Sequence, residues 1–88
     1  MFVKLAGRRW QRKSMEALAQ DGEACNGLTD YEKRIIFIEE QQQPKRLLDT
    51  EIHEAFHALF RWMDEGYVKT AASDLTNYLW RLGYRKCE

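Results

Sequence analysis

The only two histidines of this chain lie four residues apart, and a glutamate directly follows the first: His53, Glu54 and His57. On a helix, residues four apart are offset by about 40° around the axis and about 6 Å along it, so both imidazoles can bind one metal ion. Glu54 lies about 100° round from His53, where its carboxylate can reach a water bound to that ion. This arrangement is typical of zinc-dependent hydrolases, in which the glutamate takes the proton of the zinc-bound water. The spacing predicts zinc ligands at His53 and His57 and a general base at Glu54.

The histidine pair also has a simpler interpretation, in which both imidazoles lie on a helix surface and bind nothing. Their neighbours argue against it, because Ile52 and Phe56 belong to the apolar stripe of the same predicted helix. The histidines therefore border the buried face, where imidazoles without partners are costly and a metal ion would supply the partner. We predict Zn²⁺ as the cofactor.

A catalytic zinc site needs a third protein ligand, which here must be a carboxylate because the chain has no third histidine. If a second helix returns antiparallel after a turn near Glu65, the residues that face His57 and Glu54 lie near 71–75, and Asp74 is the first candidate. Glu65 is the second candidate, although it lies at the turn, about 9 Å beyond His57 along the first helix. Two other roles stay open for these acids. Asp74 could accept a hydrogen bond from a ligand imidazole or be solvated, and Glu65 could be a first-turn acid favoured by the helix dipole.

The elements that hold these residues are predicted from apolar periodicity. Residues 2–40 are read as strands, with turn signals at Asp21-Gly22 and Asn26-Gly27 and the clearest strand in "KRIIFIEE". Pro44 suits the first position of a helix that runs to about residue 63. Asp64 can cap a second helix over 65–82, which Gly83 ends. We therefore predict one α+β domain over residues 1–88, in which a small antiparallel sheet of two or three strands precedes two antiparallel helices.

Composition excludes few functions. The chain has 88 residues, with 14 basic and 14 acidic side chains, so net charge does not favour nucleic acid as a partner. No apolar run approaches the roughly 20 residues of a membrane span, and the start lacks the apolar core of a signal peptide. Cys25 and Cys87 are too few for a disulfide framework, which favours reduced thiols in the cytoplasm.

The segments "LLDTEIHEAFHALF" and "DLTNYLWRLGYR" resemble small phage and bacterial zincin-like metallopeptidases, related in outline to the SprT-like and ImmA/IrrE-like minimal peptidases. The resemblance covers roughly residues 27 to 86. It implies a short sheet whose edge strand lies beside the HExxH helix, and peptide-bond hydrolysis with His53 and His57 as ligands and Glu54 as general base. In those families the following helix supplies a histidine or glutamate as third ligand, so Asp74 would depart from the pattern. A phage origin would place the protein in the cytoplasm of a bacterial host.

The expected partner is a peptide or protein substrate, extended along the strand at residues 34–39 as an added strand. A domain this small forms a shallow cleft, so a partner protein or a homo-oligomer would help to define the substrate. The oxyanion needs a donor, for which Tyr31, Tyr67 and Tyr78 are candidates by chemistry. Two other functions stay open: a non-catalytic phage-type interaction module with structural or no zinc, and a small nucleic-acid-binding protein that uses the basic N-terminal strand.

Overall fold

The strands of the chain precede its helices, which confirms the α+β class. The structure is a computed structural model that describes residues 1–87; Glu88, the last residue of the expected domain, lies outside the described residues. Within that part of the chain the elements are β1 (Phe2–Leu5), β2 (Arg8–Met15), β3 (Ala19–Gln20), β4 (Glu23–Ala24), β5 (Gly27–Asp30), β6 (Ile35–Glu39), α1 (Pro44–Leu59) and α2 (Glu65–Leu82).

Four of the strands form one sheet in the order β1-β2-β6-β5, and β3 and β4 pair separately as a small hairpin. β1 pairs antiparallel with β2 and β5 pairs antiparallel with β6, but β2 and β6 run parallel, with Gln11 opposite Ile35. The sheet is thus larger than predicted and mixed rather than antiparallel. The reason is the long connection over residues 16–34, which forms the hairpin and β5 before β6 enters beside β2 in the same direction.

The strand predicted to bind substrate is not at an edge of the sheet. β6, which contains most of the segment proposed to bind substrate, lies between β2 and β5, so its backbone groups are used on both sides. The edge strands are β1 and β5, and the prediction transfers to β5 because it is the edge strand that pairs with β6 and also contacts α1. A strand added at this edge would therefore pair with β5.

The core lies between the sheet and α1. Trp10 of β2 and Ile36 and Ile38 of β6 pack there with Ala58 of α1. Because side chains alternate across a strand, these residues place α1 on one face of the sheet. α2 contacts α1 but no strand, so the described elements form the layers sheet, α1 and α2.

The connection between the helices determines where α2 begins. α1 ends at Leu59, earlier than predicted, because Phe60 leaves the helical conformation at φ −128° and ψ 62°. Asp64 caps α2, since its Oδ1 accepts hydrogen bonds from the backbone N–H of Gly66 at 2.7 Å and of Tyr67 at 3.2 Å. Gly83 ends α2 at a φ of 95°. The predicted bounds of α2 are therefore observed, and Glu65 is its first residue.

The helices run antiparallel, as predicted. The start of α1 and the end of α2 line the same groove, which includes Leu47, Leu48, Leu79 and Trp80. Over residues 1–87, neither helix has enough uninterrupted apolar length to cross a membrane.

Candidate metal centre

Three side chains from the two helices converge at the turn that joins them. Nε2 of His53 lies 2.8 Å from Oε1 of Glu65, and Nε2 of His57 lies 2.8 Å from Oε2 of the same carboxylate. One potential ligand atom from each of the three residues lies within 4.8 Å of the others. Ligand atoms bound about 2.0–2.2 Å from one zinc ion are themselves roughly 3–4 Å apart, so small movements would accommodate an ion.

Local structure explains why these three residues meet. The four-residue spacing places the imidazoles of His53 and His57 on one side of α1, with ring centroids 4.9 Å apart. Asp64 uses its own carboxylate to cap α2, which leaves the carboxylate of Glu65 free to face α1. The side chain of Glu65 is 65% exposed and those of His53 and His57 are 21% and 18% exposed. The histidines of the cluster are therefore largely buried between packed helices, whereas the Glu65 side faces solvent.

The structure does not bring Asp74 to the histidines. Asp74 lies nine positions after Glu65, which on a helix is about 13 Å along the axis and about 180° around it. The face of α2 that packs on α1 contains Val68, Ala72 and Thr76, and Asp74 is exposed. Of the two sequence candidates for third ligand, Glu65 is the one that lies with the histidines.

Glu54 points away from solvent, toward β5. It is 7% exposed, and its Oε1 accepts a 2.7 Å hydrogen bond from the hydroxyl of Thr29. Burial raises the pKa of Glu54, while the hydrogen bond from Thr29 and the nearby imidazoles of His53 and His57 lower it by less. A raised carboxyl pKa is the direction that suits a general base at neutral pH.

Gly27 of β5 lies directly against the side chain of Glu54. A Cβ atom at Gly27 would lie 2.7 Å from Cγ and 2.9 Å from Oε2 of Glu54, closer than real side chains approach. Sequence reasoning identified Asn26-Gly27 only as a turn and did not identify Thr29. A glycine at the start of a strand also signals close approach of another chain segment, which is its role here.

The open edge of β5 lies beside this carboxylate. The backbone N–H of Glu39 donates to the carbonyl of Asn26 at 2.7 Å, which makes these two residues a hydrogen-bonded pair of the β5–β6 ladder. Because such pairs alternate in an antiparallel ladder, the backbone groups of Gly27 and Thr29 point away from β6. Among residues 1–87 these groups make no other backbone hydrogen bond, so they can pair with an added strand.

The three candidate tyrosines occupy different surroundings. Tyr67 and Tyr78 are 71% and 62% exposed on α2. Tyr31 follows β5, where its ring packs edge-on against Trp10 and lies 4.6 Å from the guanidinium carbon of Arg61. Burial raises the pKa of Tyr31; Arg61 opposes this, and the carboxylates of Glu54 and Glu65 add to it. Tyr31 is therefore in the electrostatic surroundings of the candidate site.

No family model, curated protein or solved structure matches this chain. The resemblance of its segments to zincin-like peptidases therefore stays a prediction, and the functional argument rests on the residues and their geometry.

Proposed function

We propose that this protein is a zinc-dependent peptidase, in which His53, His57 and Glu65 bind the ion and Glu54 is the general base. The observation that carries the proposal is the convergence of both imidazoles on the single carboxylate of Glu65, each at 2.8 Å. Two imidazoles and one carboxylate are a ligand set used by catalytic zinc sites. Zinc bound there supplies Lewis acidity and acidifies a coordinated water.

The openness of the cluster supports a catalytic rather than a structural ion. Structural zinc sites have four protein ligands, whereas catalytic sites have three and leave a position for water. Among residues 1–87 the cluster consists of His53, His57 and Glu65, with no fourth residue of a ligand type (histidine, cysteine or acid), and Glu65 is exposed. This favours the peptidase over the interaction module with structural zinc.

A peptide is the substrate class that the neighbouring edge of β5 can bind. The backbone groups of Gly27 and Thr29 are free to pair with an extended peptide, and Thr29 also contacts Glu54. In this arrangement Glu54 takes a proton from the attacking water and gives it to the leaving amine. Tyr31 and Arg61, beyond the end of β5, are the candidates to stabilise the negative charge that develops on the carbonyl oxygen.

Two expectations accompany this function. We expect the protein to act in the cytoplasm, where Cys25 and Cys87 stay reduced, and in the bacterial host if a phage encodes it. We also expect a partner protein or a second copy to extend the short cleft around the substrate.

The test is the metal content of protein purified without a histidine tag, measured by elemental mass spectrometry. We expect about one zinc per chain, lost in His57→Ala and retained in Glu54→Gln. Hydrolysis of a peptide library should be lost in both variants. Wild-type protein that takes up no added zinc would contradict the proposal, whereas zinc binding without hydrolysis would favour the non-catalytic module.

A further inference from the structure

The outer face of the sheet, opposite α1, carries three cations of the N-terminal strands, Lys4, Arg9 and Lys13. Because side chains alternate, residues that flank the core positions of each strand share this face. Neither helix packs on it, since α1 contacts the inner face and α2 contacts only α1. The members of this outer face are Phe2, Lys4, Arg9, Gln11, Lys13, Met15, Leu28, Asp30, Ile35, Phe37 and Glu39.

Two of these cations are direct cross-strand neighbours. Lys4 of β1 lies opposite Arg9 of β2, and such pairs have Cβ atoms about 4.5–5.5 Å apart, where like charges destabilise a sheet. In the described chain neither cation forms an ion pair with a carboxylate. Arg34 contacts the backbone beside this pair, since its Nε donates to the carbonyl of Arg9 at 3.2 Å. A pair of this kind is stabilised by a bound anion.

The surroundings of the pair can hold such an anion. An open depression of about 450 Å³ is lined by Phe2, Val3, Lys4, Gly7 and Arg9. The guanidinium carbon of Arg9 lies 4.0 Å from the centre of the Phe2 ring, which holds the cation at the rim of the depression.

The acidic residues of the outer face lie at its ends and are already engaged. Asp30 accepts a hydrogen bond from the backbone N–H of Lys33 at 3.0 Å. Glu39 accepts hydrogen bonds from the backbone N–H groups of Leu18 and Gln41. Between these ends Lys13 lies directly opposite Phe37, so a cation and an aromatic ring are neighbours in the middle of the face.

We propose that this outer face binds single-stranded nucleic acid, with phosphates at Lys4, Arg9 and Lys13 and a base against Phe37. Arg9 and Lys13 lie about 13 Å apart along β2, so a bound strand would span more than one nucleotide. Cations beside an aromatic ring on a sheet surface suit phosphates and stacked bases, whereas an acidic protein segment would use the cations alone. The zero net charge of the chain gives no reason to expect nucleic acid, but the two acids of the outer face lie at its ends and already accept hydrogen bonds from backbone N–H groups.

Fluorescence anisotropy with labelled 20-nucleotide single-stranded DNA and RNA, from 50 to 200 mM KCl, tests the proposal. We expect the double variant Lys4→Gln/Arg9→Gln to bind at least tenfold more weakly. Its slope of log affinity against log salt should be smaller by about 1.4, since each phosphate contact to a single strand contributes about 0.7. The matched control Lys45→Gln/Lys69→Gln removes two exposed cations from the helices and should bind within twofold of wild type.

A second variant tests the stacking contribution. Phe37→Leu keeps an apolar side chain in the sheet but removes the ring, and should weaken binding about fivefold without changing the salt slope. Circular dichroism checks that each variant is folded. Three results would overturn the proposal. The first is no binding at 50 mM KCl, and the second is an equal loss of affinity in the control variant. The third is that a polyglutamate peptide competes with the nucleic acid and binds wild type and Phe37→Leu with the same affinity. The last result would assign the face to an acidic protein partner.

Discussion

The hydroxyl of Thr29 donates a 2.7 Å hydrogen bond to Oε1 of Glu54, and so connects the edge strand β5 to the helix that carries both histidines. The same hydroxyl lies 3.3 Å from the backbone carbonyl of Glu54. The edge strand proposed to bind a peptide therefore also positions the proposed general base. Because Glu54 belongs to α1, a shift of β5 relative to α1 would disturb this hydrogen bond and change the position of the Glu54 carboxylate relative to the edge of β5.

Replacing Thr29 by valine should reduce stability. The change keeps the shape of the side chain but leaves Oε1 of Glu54 buried without its hydrogen bond, which costs about 1–3 kcal/mol of the free energy of unfolding. Urea denaturation measures this cost. Thr70→Val on the exposed side of α2 is the matched control, and its effect should stay within about 0.5 kcal/mol. Equal effects of the two changes would contradict the role given to Thr29.

Gly27→Ala should displace the carboxylate of Glu54, because the new Cβ would lie within 3 Å of its Cγ and Oε2. Peptidase activity should fall about 100-fold, as expected when a catalytic group moves by about 1 Å. Zinc content should not change, since the three proposed ligands lie on the helices. Full activity in Gly27→Ala would exclude Glu54 in its observed position as the base.

Glu65→Gln and Asp74→Asn separate the two candidates for third ligand. Glu65→Gln should weaken zinc affinity at least 100-fold, whereas Asp74→Asn should leave it unchanged. Thermal unfolding gives an independent measurement, because zinc at 100 times its Kd stabilises the folded protein by about 2.7 kcal/mol. Zinc should therefore raise the Tm of wild type and Asp74→Asn at concentrations that leave Glu65→Gln unaffected. The reverse pattern would restore Asp74 as the ligand.

Glu39 should make stability depend on pH. Hydrogen bonds from the backbone N–H groups of Gln41 and Leu18 lower the pKa of Glu39 in the folded protein. The unfolded chain then binds the proton more tightly, so the stabilisation is present above the unfolded pKa of about 4.3 and is lost as pH falls through the lowered value. Wild type should exceed Glu39→Gln in Tm at pH 6, and the difference should shrink toward pH 2.5. A constant difference would contradict this linkage.

Some features of the fold and of the candidate site can be predicted from local sequence patterns. The spacing of His53 and His57 predicts that their imidazoles share one side of a helix, and Asp64 and Gly83 mark where α2 begins and ends. These predictions succeed because helical periodicity and capping act over a few neighbouring residues. The α+β class follows in the same way, from a strand-rich first half and a helical second half.

Other features were decided only by tertiary structure. The position of Glu65, rather than Asp74, beside the histidines depends on where α1 ends and on which side of α2 faces α1. β6 is an internal strand because β5 pairs on its far side. The role of Gly27 depends on the approach of Glu54 from another element. Each of these relationships joins residues that are distant along the chain, so it is determined by how whole elements pack rather than by the pattern within any one of them.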